Sequence, residues 1–130
     1  MTDQAKAVAG TGMNLATVWE TVAATIPDAP ALMHGELTRS WAEFEDRSAR
    51  LAGVLGAAGI TRDSKVALYM YNGPEYIEAT FAAFKVRAAT VNVNYRYLRA
   101  ELEYLFDNSD SEAVVFHAEF AERLDSVRGT

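Results

Sequence analysis

The chain of 130 residues contains no cysteine, two histidines and three prolines. Without cysteine there is no disulfide, no thiolate metal site and no cysteine nucleophile. His34 and His117 lie far apart with no third ligand in sequence reach, so their spacing gives no metal site. Positive charge is also scarce: 12 Lys and Arg against 18 Asp and Glu leave a net charge of −6. That balance disfavours nucleic acid, whose binding depends on neutralising phosphates, and equally an anionic membrane surface. No apolar run approaches the roughly 20 residues of a membrane-spanning helix. Residues 1–13 lack the basic start and apolar core of a signal peptide and read as a loose, flexible tail. The expected setting is cytoplasmic.

Signatures of phosphate binding and catalysis are missing too. A phosphate cradle needs several glycines so that backbone N–H groups can approach the anion. The turn Asn72-Gly73-Pro74 has one glycine, and its proline removes a donor. Glu75 and Glu78 occupy the positive end of the helix that follows, where a phosphate would meet repulsion. Gly10-Thr11-Gly12 precedes no strand-to-helix turn, and no Ser-His-Asp or Gly-x-Ser-x-Gly arrangement occurs. Acidic pairs such as Glu45-Asp46 read as a solvated helix face. No catalytic centre is recognisable.

What is present is a well-patterned globular sequence, 50% hydrophobic. Its centre is the stretch 65–98. Residues 65–70 form a short apolar run suited to a strand buried on both faces. After the 72–74 turn, Pro74 suits the first helical position, and Ile77, Phe81, Phe84 and Ala88 follow at helical spacing. Glu75 and Glu78 near the start, with Lys85 and Arg87 near the end, match the helix dipole. Residues 89–93 read as a second strand. Two strands joined by such a helix are parallel, with a right-handed crossover.

Upstream, Asn14 is an N-cap candidate for a helix over 15–25 with Leu15, Val18, Trp19, Val22 and Ile26 as its apolar face. Residues 31–34 and 37–40 flank Gly35-Glu36 as a tight hairpin. Ser40 and Glu43 have capping-box spacing at the head of the next helix. Its inward face is Trp41 or Phe44, then Leu51, Ala52, Leu55 and Ala58, and Gly59 stops it. Gly53 and Gly56 each cost about 1 kcal/mol inside a helix relative to Ala, which predicts close packing against a neighbour. Downstream come a helix at 99–108 with Leu102, Leu105 and Phe106 inward, a turn at 108–111, a strand at 113–116 and a helix at 119–127. The expected fold is α/β: a partial doubly wound parallel sheet with flanking helices and a small N-terminal hairpin. Its sheet edges would be bare of charge and proline.

Ligands of open parallel sheets bind beyond the C-terminal strand ends. That rule selects Tyr71, Asn72 and Gly73, then Asn94, Tyr95 and Arg96, then His117. Each also has a plain structural reading. Asn72 suits a turn, Arg96 an ion pair, and Tyr69, Tyr71, Tyr76, Tyr95, Tyr97 and Tyr104 suit buried rims with solvated hydroxyls.

Taken in order, residues 14–128 resemble the N-terminal end of the AMP-forming adenylating enzymes, which include fatty acyl-CoA synthetases, coumarate-CoA ligases and firefly luciferase. The resemblance rests on Ala31-Leu32, on the segment 38–55 with its FxxRSxRLAxxL pattern, and on the strand and turn of 65–76. Phe84-Lys85, the segment 91–96, and Glu101-Leu102-x-Tyr104 before 113–116 complete it. The form of 91–97 is similar to the fatty acyl-CoA or steroid-acyl-CoA synthetase branch. Departures occur where the family usually has Gly (here Ala88), Pro (here Tyr95) and Thr-Pro (here Leu98-Arg99).

The resemblance implies a longer enzyme that activates a fatty acid with ATP and Mg to an acyl-adenylate and passes the acyl group to CoA. The family's phosphate loop, adenine motif, ribose-binding Asp and C-terminal Lys match nothing here, so no catalytic residue is carried over. Residues 14–130 would then be an incomplete large domain, inactive alone and prone to self-association through a bare edge. Asn72, Gly73, Tyr76, Asn94, Tyr95 and Arg96 are its substrate-channel candidates, with no cofactor or metal held by the chain itself. The alternatives are a stand-alone α/β binding or regulatory module and a flavodoxin-like nucleotide binder.

Overall fold

The structure is a computed structural model that describes residues 14–129; the tail read at 1–13 lies outside the described residues. In order, the elements are α1 (Leu15–Thr25), β1 (Pro30–His34), β2 (Leu37–Ser40), α2 (Trp41–Ala57), β3 (Lys65–Tyr69) and α3 (Pro74–Lys85). They continue with β4 (Ala89–Asn92), α4 (Arg99–Ser109), β5 (Ser111–Phe116), a 3-10 turn (Ala118–Phe120) and α5 (Ala121–Asp125).

β3 is the axis. It pairs in parallel with β4 on one side and with β5 on the other, giving the order β4-β3-β5. Val66, Ala67, Leu68 and Tyr69 are each fully buried, as expected for the middle strand of a sheet covered on both faces. Val66, Leu68 and Met70 pack with Leu55, Ile60, Ala79 and Ala82 on one face. Ala67 and Tyr69 pack with Val93, Leu102 and Phe120 on the other. β1 and β2 form a separate antiparallel hairpin with Gly35 at φ +61°, the backbone that the first position of its tight turn requires.

Helix ends follow the local chemistry. The Asn14 side-chain oxygen accepts from Ala16 N–H at 2.8 Å and also from Arg87 Nη1 at 3.1 Å, so one amide starts α1 and holds the residue that ends α3. Ser40 Oγ accepts from Glu43 N–H at 3.1 Å, one half of the expected capping box. α2 ends at Gly59 (φ +92°), where Ile60 N–H reaches Leu55 O and Gly59 N–H reaches Gly56 O, both at 3.0 Å. α3 ends in the same way with Arg87 in the left-handed position (φ +65°), one residue before the Ala88 departure noted above. Leu98 cannot cap α4 with its side chain. Instead its N–H donates to the Glu101 carboxylate at 3.1 Å.

Several expectations are corrected. α1 turns Ala16, Trp19 and Ala23 inward and leaves Leu15, Val18 and Ile26 exposed, because small alanines let it approach α2 and α3 closely. On α3, Phe81 is fully buried but Ile77 is exposed, and the buried position next to it is Glu78. Among the described residues Gly53 and Gly56 face open space: a Cβ on either would meet nothing within 4 Å. Ala58, beyond the last helical residue, faces solvent. Glu45 is not on a solvated face, since Lys85 Nζ reaches Glu45 Oε2 at 2.6 Å and Glu20 Oε1 at 3.1 Å. This lysine therefore joins α1, α2 and α3 while lying 4.4 Å over the Phe81 ring. The last helix is shorter than 119–127, broken into a 3-10 turn and five residues of α-helix.

Candidate functional site

The C-terminal ends of β3, β4 and β5 come together, as a parallel sheet requires. Tyr71 is the hub. Its ring lies 5.0 Å from Tyr95, 5.0 Å from Phe120 and 5.6 Å from His117. Its N–H donates to His117 Nδ1 at 3.0 Å, which places the neutral imidazole's own proton on Nε2. Tyr71 and Tyr95 are each more than a third exposed, so they form an aromatic shelf open to solvent.

The loop after β4 has defined geometry. Tyr97 N–H closes a turn onto Asn94 O at 2.9 Å, and the Asn94 side chain accepts from Arg96 N–H at 2.9 Å. Arg96 makes no ion pair among the described residues; its guanidinium lies 5.6 Å over the exposed Tyr95 ring. Its structural-pair reading is therefore not what the geometry shows. Asn94 is a turn residue.

Three further candidates fall elsewhere. The Tyr76 hydroxyl donates to Asn92 Oδ1 at the end of β4, and burial pushes the Tyr76 phenol up from its ordinary value. Asn72 is exposed and its side chain makes no hydrogen bond among the described residues. Gly73 is extended (φ 168°), so the backbone does not demand glycine there. It lines a small pocket of about 200 Å³ with Leu32, Met33, His34, Pro74 and Ile77. The six channel candidates thus divide between the 94–97 loop, the β4 end and the hairpin side.

Two groups escaped sequence reasoning. Arg47 on α2 donates from Nε to both oxygens of the buried Glu78 carboxylate at 2.9 Å, and that bond raises its affinity for the proton. This pair lines a cleft of about 420 Å³ with Arg50, Met70, Glu75 and His117. Arg123 on α5 donates from Nη1 to Tyr95 O at 2.8 Å and to the buried Tyr69 hydroxyl at 3.2 Å, and the Tyr69 bond raises its affinity for the proton. No local pattern links positions so far apart. Beside β5, Phe106, Val114, Phe116, Leu124 and Val127 line an apolar groove of about 650 Å³.

Among the described residues no cluster of His, Cys, Asp and Glu could hold a metal, and no helix is long and apolar enough to cross a membrane. The parallel β4-β3-β5 sheet carries the aromatic shelf of Tyr71 and Tyr95 at the carboxyl ends of its strands, where open α/β sheets bind their ligands. The chain belongs to the AMP-binding enzyme family, whose model matches residues 19–130. It is 39% identical over 115 residues to a medium/long-chain-fatty-acid/3-oxocholest-4-en-26-oate CoA ligase of Mycobacterium tuberculosis, covering 88% of this chain and 21% of that protein. A 3-oxocholest-4-en-26-oate CoA ligase of Rhodococcus rhodochrous is 36% identical over the same coverage. The crystal structure of the N-terminal domain of FACL13 from Mycobacterium tuberculosis superposes with a TM-score of 0.82 at 27% identity, covering 90% of this chain and 30% of that one. The chain spans about a fifth of the length of the curated relatives it matches.

Proposed function

We propose that this chain is a scaffold portion of the large domain of a CoA ligase acting on fatty or steroid-type carboxylic acids. The 39% identity to a ligase named for both substrate classes carries the reading, together with the shared fold. In that enzyme the acid would be activated with ATP and Mg to an acyl-adenylate and captured by CoA. ATP, Mg and CoA would be held mainly by residues outside this chain. Residues 14–130 would supply the sheet and one wall of the substrate channel.

Within that wall, Tyr95 and Arg96 supply an open ring and an unpaired guanidinium, a pairing suited to a carboxylate or phosphate. Tyr76 holds Asn92 at the β4 end and Asn94 closes the loop beyond it, while Asn72 and Gly73 follow β3 toward the hairpin. Alone, the chain is expected to be silent in ATP–pyrophosphate exchange with a fatty acid. Grafted in place of the matching segment of the mycobacterial ligase, residues 14–130 should support thioester formation. Exchange by the chain alone would overturn the scaffold reading; a well-folded graft without ligase activity would overturn the assignment to this branch.

A further inference from the structure

We infer that Arg123 is the positioning residue of the 94–97 loop, acting from α5 on a segment to which it is not adjacent in sequence. One nitrogen, Nη1, spends its two protons on two acceptors: Tyr95 O at 2.8 Å and the Tyr69 hydroxyl at 3.2 Å. The Tyr69 hydroxyl in turn donates to Tyr97 O at 2.5 Å. Two carbonyls on either side of Arg96 are thus held by one connected network, rooted in a tyrosine with no exposed surface.

The rest of the network fixes Arg123 itself. Its guanidinium lies 5.0 Å over the Phe120 ring, and Phe120 stacks on Tyr69 at 4.6 Å with 27° between planes. A charged donor to a carbonyl acceptor is the stronger class of hydrogen bond, so the Arg123–Tyr95 bond outweighs either neutral bond internal to the loop. Among the described residues Arg96 has no ion pair of its own, and its backbone is gripped on both sides. Where its guanidinium is presented is therefore set by Arg123. The inference rests on the reading above only for what the loop serves; the clamp itself is tested on the chain as it stands.

Two amides report the loop directly: Arg96 N–H, bonded to the Asn94 side chain, and Tyr97 N–H, bonded to Asn94 O. Arg123→Met keeps the stem over Phe120 and removes both donors. Hydrogen exchange followed by NMR should show these two amides exchanging about tenfold faster, with the Ala67 and Leu68 amides of β3 unchanged. A second variant separates positioning from general support. Tyr95 is the second residue of the turn, and its N–H makes no hydrogen bond among the described residues. Proline is favoured there. Tyr95→Pro added to Arg123→Met should recover about two- to fivefold of the lost protection without touching α5. The inference is overturned if the two amides do not change, if they speed up only in step with β3, or if proline recovers nothing.

Discussion

Arg47 Nε stands 2.9 Å from both carboxylate oxygens of Glu78, joining α2 to a carboxylate buried at the start of α3. Arg39 of the hairpin adds a longer contact at 3.6 Å. The partners differ in exposure: the Glu78 side chain is 8% exposed and that of Arg47 is 44%. Arg47→Met leaves the buried carboxylate with only the longer Arg39 contact, whereas Glu78→Met removes the buried charge and leaves two arginines that are each partly exposed. The first should cost about 2 kcal/mol, and the second about half as much, because Arg47 is partly solvated. Urea unfolding curves of the two variants decide it, and an equal or reversed order would sink the argument.

Ser48 is fully buried on α2, and among the described residues its hydroxyl has no hydrogen-bond partner. Ser48→Ala removes an unsatisfied group and improves helix propensity. The gain should be about 1 kcal/mol, read as a higher urea midpoint at unchanged slope. A lower midpoint would show that the hydroxyl is satisfied in solution.

Gly53→Ala and Gly56→Ala should each stabilise the chain by about 1 kcal/mol, since the added methyl meets nothing within 4 Å among the described residues. A calorimetric loss instead would mean that another surface covers this face of α2.

The Tyr76 phenol is held above its ordinary value of 10.0 by burial. A folded value above the unfolded one means that the folded state keeps its proton more tightly. Its contribution is therefore complete below about pH 10 and is lost as the pH rises through the folded value. Tyr76→Phe should flatten this alkaline part of the stability–pH curve. An unaltered curve, measured by denaturant titration between neutral and strongly alkaline pH, would contradict it.

The parallel core was legible because its signals are local. A short apolar run, a turn with proline at the helix start and a second β-rich run specify the β3-α3-β4 unit, whose strands end within one residue of the expected bounds. Periodicity located α1 but not its rotation. Leu15, Val18 and Ile26 share a stripe with Trp19, yet Ala16 and Ala23 face inward because close helix approach rewards small side chains over large ones. The same blindness placed Glu78 at the helix dipole, since nothing near it in sequence announces Arg47.

At the carboxyl ends of the strands, the rule for open sheets found Tyr71, Tyr95 and His117, which do meet. It did not separate Arg96, which makes no ion pair among the described residues, from Asn94, which is spent on its own turn. Arg123 was invisible: its partners Tyr69 and Tyr95 come from other parts of the chain, and a lone arginine on a short helix reads as ordinary surface.

The Asn14 side-chain oxygen serves Ala16 N–H and Arg87 Nη1 together. Fraying at the first turn of α1 therefore takes away a restraint on the strained left-handed residue that closes α3, and the reverse holds as well. These two termini, distant along the polypeptide, should melt as a single cooperative step, so that a label on either one registers the opening of both.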